Sequence, residues 1–363
     1  MRVLLTADVC GGVLTWALEL VERLAEHGTE VELATFGPPA SSAQRARIEG
    51  SPIAGWHESD LALEWMGDPW RDLARSAELL RELERSLRPE VVHLSSFGHA
   101  AAGFRAPVVI TAHSDVFSWW HAVHGWGPPR SWDRYRAWVR EGLRAADAVV
   151  APTAATLEEL RRHYGPWPGR ALVVPNAVSI PAGAPGPPSG RDPVALFAGR
   201  LWDAAKNAET LARAAARLPA GAVRIAGDPR GAPDLAPAIA LGELDPAALG
   251  AERRRAAVFA APARYEPFGL AVLEAALDGC ALVLGDIPSF RELWDDAALF
   301  VDPDDALGLA GAIESLIGDP AAAREWGARA RRRAEGWGGP AAFGHAHDRL
   351  YEELARAGSA LAR

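Results

Sequence analysis

The chain has 363 residues, 49% of them apolar and 23% charged, with a formal net charge of −9. This length allows two ordinary domains with substantial cores, and the negative balance argues against nucleic acid as the main partner, because phosphate backbones are gripped by clustered Lys and Arg. Cys10 and Cys280 fit neither a disulfide framework nor a metal spacing, and the N-terminal apolar run is too short for a signal segment, so a cytoplasmic setting is expected.

Strand-like and helix-like stretches alternate, the pattern of parallel sheets with crossover helices. RVLLTA (2–7) reads as a buried strand, followed by apolar residues at helical spacing from Leu14 to Ala25 and a stop at Gly28. Further strands are expected at 30–36, 91–96, 107–114, 147–153 and 171–176. IPAGAPGPPSG (180–190), with four Pro and three Gly, reads as a linker. The alternation then restarts, with strands at 193–199, 222–227, 256–262, 281–286 and 298–305 and helices from about Ala208 and Gly269. Two Rossmann-like domains are expected, with a ligand at the C-terminal ends of the strands. No segment approaches the ~20 apolar residues of a membrane span.

YEPFGLAVLEAALDG (265–279) holds two glutamates eight positions apart. In a helix beginning near Gly269, Leu270, Leu273 and Leu277 would form the buried stripe, and Glu274 falls on that same face. An unpaired buried carboxylate costs several kcal/mol, so Glu274 needs a protein cation or ligand hydroxyls as partner. The N–H groups of Phe268, Gly269 and Leu270 would start this helix, an arrangement that attracts phosphate. Glu266 would be repelled by such an anion unless it accepts from neutral hydroxyls; alternatively it is a plain acid favoured at a helix start.

Three other groups could serve an anionic ligand. Arg200 and Lys206, after the strand LFAG, can supply a forked and a mobile cation, although a basic pair in a loop is often only solvated. Asn207 fits a helix N-cap. Gly11 and Gly12, between the first strand and helix, would let the backbone approach a phosphate, but do not form G-x-G-x-x-G. His113, at a strand end, could donate a hydrogen bond to a ligand or serve only the structure.

These pieces, in this order, resemble retaining glycosyltransferases of the GT-B fold, in particular family 4, the glycogen-synthase-like and mannosyltransferase-like group. The likeness runs through GGV, ADAVVAPT, VVPNAV, FAGR…K, Y-E-P-F-G-L-x-x-L-E-A, DIPSFREL and FVDPDD, and the E-x7-E element is its most specific part. It departs at Asn176-Ala177, where Asn-Gly is frequent, and at Pro288-Ser289, where Pro-Glu is frequent. The resemblance implies an α/β GT-B architecture: two doubly wound domains facing a cleft, 1–179 on the acceptor side and 191–340 on the donor side, with 341–363 crossing back to the first. It implies that Glu274 binds ribose hydroxyls, that Glu266 accepts from the donor sugar near the Phe268–Leu270 amides, and that Arg200 and Lys206 neutralise the diphosphate. Gly11 and Gly12 would approach that diphosphate, and His113 would contact the sugar or diphosphate.

The reaction so implied moves a sugar from a nucleotide-diphosphate donor to an acceptor hydroxyl with retention, by front-face displacement, without a metal or other cofactor. The acceptor (small molecule, glycan or lipid-linked) is not specified by sequence. Trp119 and Trp120, in the aromatic stretch after His113, either stack on the acceptor or pack the core. Peripheral membrane contact lacks a supporting basic amphipathic helix. A sugar-nucleotide epimerase and a non-catalytic sugar-nucleotide-binding protein are the alternatives; a serine hydrolase is disfavoured by the lack of G-x-S-x-G.

Overall fold

The computed structural model describes residues 1–179 and 190–361. The expected linker at 180–190 therefore falls, through residue 189, outside the described residues. The chain forms two compact units: one of Met1–His121, Trp126–Ser179 and the segment from Pro340, the other of Ala122–Gly125 and the segment ending at Gly339.

The first unit contains β1 (Arg2–Asp8), α1 (Gly12–Glu26), β2 (Glu30–Phe36), α2 (Ser42–Glu49), β3 (Gly55–Glu58), α3 (Trp70–Leu87), β4 (Val91–Leu94) and β5 (Val108–Thr111). After these come α4 (Val116–His124), which belongs to this unit through His121, then α5 (Asp133–Ala145), β6 (Ala148–Ala151), α6 (Ala154–Tyr164) and β7 (Arg170–Val173). The strands form a parallel sheet in the order β3-β2-β1-β4-β5-β6-β7. Helices cover both faces, so Val3, Leu4 and Leu5 are all fully buried and β1 reads as a continuous apolar run.

The second unit contains β8 (Asp192–Ala198), α7 (Ala208–Ala215), β9 (Val223–Ala226), β10 (Ile239–Gly242), α8 (Pro246–Arg255), β11 (Ala256–Ala261) and α9 (Leu270–Leu277). It continues with β12 (Ala281–Gly285), α10 (Pro288–Trp294), β13 (Leu299–Val301), α11 (Ala306–Ile317) and α12 (Pro320–Glu335). Its parallel sheet runs β10-β9-β8-β11-β12-β13. In both sheets the strand order reverses beside the first strand, between β1 and β4 and between β8 and β11. Loops leaving the C-terminal ends of such paired strands diverge and open a crevice.

The last helix, α13 (Gly339–Leu361), packs on the first unit. Phe343, Leu350, Tyr351 and Leu354 join Trp16, Leu20 and Val21 of α1 in one core. A polar thread pins the helix: Tyr351 Oη lies 2.5 Å from His93 Nδ1, and His93 Nε2 lies 2.6 Å from Thr111 Oγ1. The C-terminal segment thus returns to the first unit, as the resemblance implies. Among the described residues no helix is long and apolar enough to cross a membrane.

Candidate active site

In the second unit the sequence-predicted residues converge on the loops after β8 and β11, at the point where the strand order reverses. Lys206 Nζ and the Glu266 carboxylate form an ion pair at 2.5 Å, with both side chains largely buried. The loops carrying them are stitched together: Arg264 N donates to Ala205 O at 2.8 Å, and Arg264 Nη1 donates to Ala204 O at 2.8 Å. Ser289 Oγ, at the start of α10, donates to the Glu266 carbonyl at 2.5 Å. Ser289 stands where the family often has Glu, so that departure supplies an anchor for the Glu266 backbone.

Arg200 is engaged differently. Its Nη2 meets the buried Asp203 at 2.8 Å, and its guanidinium lies over the Trp202 ring, 5.6 Å from the centroid. Arg200 and Lys206 thus leave the same loop, each beside a carboxylate. Asn207 occupies the N-cap position of α7, but its side chain makes no capping bond. The expected cap is therefore corrected: a left-handed backbone, φ 60°, turns the amide away from the helix.

Glu274 requires a second correction. The buried face of α9 is Val272, Leu273, Ala275 and Ala276, against β11, β12 and α12. Leu270 and Leu277 are only partly buried, and Glu274 shares their half-exposed edge. Leu273 is buried as expected, and small residues beside it let α9 lie close to the sheet, so the packed stripe is rotated away from Leu270 and Leu277. The carboxylate is nevertheless held: Arg253, at the end of α8, reaches Glu274 at 2.6 Å and Asp278 at 2.8 Å. A protein cation is a partner of Glu274.

The N-cap of α9 is Gly269, which has no side chain to cap it, and among the described residues no other side chain caps this helix. Gly269 precedes it with φ 88°, a conformation L side chains rarely adopt, and a Cβ there would lie 3.1 Å from Phe290 Cε1 and 3.3 Å from Glu266 Cγ. Gly269→Ala is expected to destabilise the protein by about 1–3 kcal/mol, read as a lowered urea midpoint. The Phe268 ring itself is buried, 5.8 Å from Trp337.

In the first unit, Gly11 and Gly12 sit exposed at the β1–α1 turn, where Asp8 accepts from Cys10 N at 2.9 Å. His113 follows β5, its ring edge-on to Trp16 at 4.5 Å. Burial, and secondarily the neighbouring His347, hold its pKa down to about 3. His113 is therefore neutral at physiological pH and can exchange hydrogen bonds but cannot neutralise an anion. Its buried Nε2 has no hydrogen-bond partner among the described residues. Trp119 and Trp120 lie on α4, partly buried, with their rings in an edge contact at 6.1 Å.

Two buried acids escaped sequence reasoning. Asp115 accepts from Phe117 N, Ser118 N and Tyr164 Oη, and so starts α4; an Asp before an apolar helix was the available signal. Glu64 accepts from Phe97 N, Gly98 N and Trp138 Nε1, and burial raises its pKa to about 6. Trp138 in turn fills the space beside Gly98, where a Cβ would lie 2.0 Å from its ring. No local pattern around Glu64 announces this bridge.

Residues 10–180 match the family model of Glycosyltransferase Family 4, and residues 192–319 match that of Glycosyl transferases group 1. Alpha-maltose-1-phosphate synthase of Mycolicibacterium smegmatis is 30% identical over 381 residues, covering 90% of this chain and 91% of that protein. The chain belongs to glycosyltransferase family 4. This glycosyltransferase is also 30% identical to D-inositol 3-phosphate glycosyltransferase of Xylanimonas cellulosilytica, covering 90% of the chain and 88% of the relative. Against glycogen synthase of Mycobacterium tuberculosis (30% identical, 69% of this chain) it spans only 65% of the relative's length. Its fold is that of GT-B glycosyltransferases. Sucrose-phosphate synthase from Thermosynechococcus elongatus superposes with a TM-score of 0.78 at 19% identity, covering 98% and 100% of the two chains. Anabaena HepE, solved with UDP and glucose, superposes at 0.73 with 17% identity, covering 97% and 99%.

Proposed function

We propose that this glycosyltransferase transfers a hexosyl group from a nucleotide-diphosphate sugar to an acceptor hydroxyl with retention of anomeric configuration and without a metal. The observation that carries the reading is the Lys206–Glu266 pair, at the strand reversal of the second unit and just ahead of the uncapped start of α9. A diphosphate would draw Lys206 and Arg200 to its oxygens and take further hydrogen bonds from the Gly269 and Leu270 amides. Glu266, relieved of its cation, would accept from sugar hydroxyls, and Glu274, steadied by Arg253, from the ribose diol.

As the bond from C1 to the diphosphate oxygen breaks, negative charge grows on the leaving group, where positioned cations are most effective. The acceptor oxygen bonds C1 on the same face and gives its proton to a phosphate oxygen. In the first unit, Gly11, Gly12 and His113 keep the roles that the family resemblance assigns them. Trp119 and Trp120 are assigned to the acceptor. UDP and glucose bound to Anabaena HepE support a nucleotide-sugar donor.

A thermal-shift screen of UDP-, GDP- and ADP-sugars, followed by proton NMR of the product with the responding donor, tests this reading. A donor at ~100 Kd should stabilise the protein by about 2.7 kcal/mol, and an α-linked donor should yield an α-linked product. An inverted product, or donor isomerisation without transfer, would refute it.

A further inference from the structure

Asn207 links the residues of the proposed donor site. It directly follows Lys206, is 2% exposed, and adopts φ 60° and ψ 40°. Its Nδ2 donates to Pro262 O at 3.0 Å and to Pro303 O at 2.6 Å. Pro262 follows β11 on the way to Glu266, and Pro303 follows β13. One amide group therefore ties together the loops that leave β8, β11 and β13. Two carbonyl acceptors at one end of the amide identify that end as the nitrogen.

This conformation gives up the capping bond in favour of the tie. A side chain in its ordinary place at the N-cap would accept from a first-turn amide; here that bond is absent, and Oδ1 is buried without a hydrogen-bond partner among the described residues. The left-handed backbone is one that Asn tolerates better than most residues. A second tie runs in parallel: Arg264 meets Asp304 through Nε at 2.9 Å and Nη2 at 2.5 Å, while its main chain holds Ala205.

We propose that Asn207 is a positioning residue for sugar transfer: by clamping the three loops it sets the Lys206 ammonium against the Glu266 carboxylate. This rests on the assignment of that pair to the donor site. Asn207 itself is too buried to touch the donor, so its effect passes through its neighbours. Misplacement of groups that act on developing charge should appear in kcat more than in donor KM.

Asn207→Gly keeps the left-handed backbone without strain and deletes both donors. Asn207→Asp keeps the size but sets a carboxylate oxygen against two carbonyls. Kinetics well below the unfolding transition, together with amide hydrogen exchange over residues 263–268, test the clamp. For Asn207→Gly the expected result is a kcat reduced at least tenfold, donor KM changed less than threefold, and faster exchange in that segment; Asn207→Asp should be more severe. Combining Asn207→Gly with Glu266→Gln should lower kcat by less than the product of the single effects. A kcat within twofold of wild type, or unchanged exchange in Asn207→Gly, would overturn the proposal. If Asn207→Gly fails to fold, Arg264→Gln, which cuts the parallel tie, should give the same kcat loss and faster exchange, and normal values there would overturn it equally. Absence of transfer by the wild type would refute the donor-site reading instead, while the exchange measurement still decides the clamp.

Discussion

Replacing Lys206 with Ala is expected to lower kcat for sugar transfer by about 10²–10³-fold, the usual effect of deleting one positioned group that stabilises developing charge. Stability should change by only about 1–2 kcal/mol, between the costs of breaking exposed and buried pairs, because Lys206 and Glu266 are 17% and 19% exposed. Activity and folding should therefore separate cleanly, with circular dichroism unchanged while turnover collapses. Near-normal kcat would remove Lys206 from the mechanism.

The second large effect concerns pH. His93, His99, His113 and His347 of the first unit are all held neutral by burial: His99 and His347 to about 4, His113 to about 3, and His93 well below its usual value. An unfolded chain would titrate them near 6.5. Unfolding therefore takes up protons as the pH falls below about 6.5, and stability, full above that range, is lost progressively towards pH 3–4. Each proton contributes a slope of about 1.4 kcal/mol per pH unit. Glu64 opposes this trend, since its raised pKa makes the folded form the better proton acceptor between about 4.5 and 6. Urea unfolding at several pH values should show a net uptake of protons near pH 5. His347→Leu should reduce it by about one; an unchanged slope would place the titration elsewhere.

The geometry behind this sensitivity was not legible in the sequence. His93 lies inside a buried strand, and its partners Tyr351 and Thr111 stand 258 and 18 residues away. By contrast, β1, β11 and β12 could be read directly, because strands covered on both faces carry continuous apolar runs. The edge strands β3 and β10 could not. GWHE and IALG are only four residues long and largely unburied, too short for alternation to mark them.

The candidate site divides in the same way. The order of Arg200, Lys206, Glu266 and Glu274 along the chain was enough to evoke the family. Which groups pair was not: Lys206 with Glu266, Arg200 with Asp203, and Glu274 with Arg253 are set by loop geometry and helix rotation. Periodicity placed Leu273 inwards correctly, but also Leu270 and Leu277, because it weighs size, whereas the rest of the packed face of α9 is Val272, Ala275 and Ala276. The tie made by Asn207 depends on two main-chain carbonyls, which no side-chain pattern encodes.

The most direct test of the account is calorimetric titration of UDP, GDP and ADP into the wild type and Lys206→Ala. At least one nucleoside diphosphate should bind the wild type, and its affinity should fall at least tenfold in Lys206→Ala. Undiminished affinity in the variant, or no binding of any of the three by the wild type, would contradict the assignment of the Lys206–Glu266 pair to the donor diphosphate.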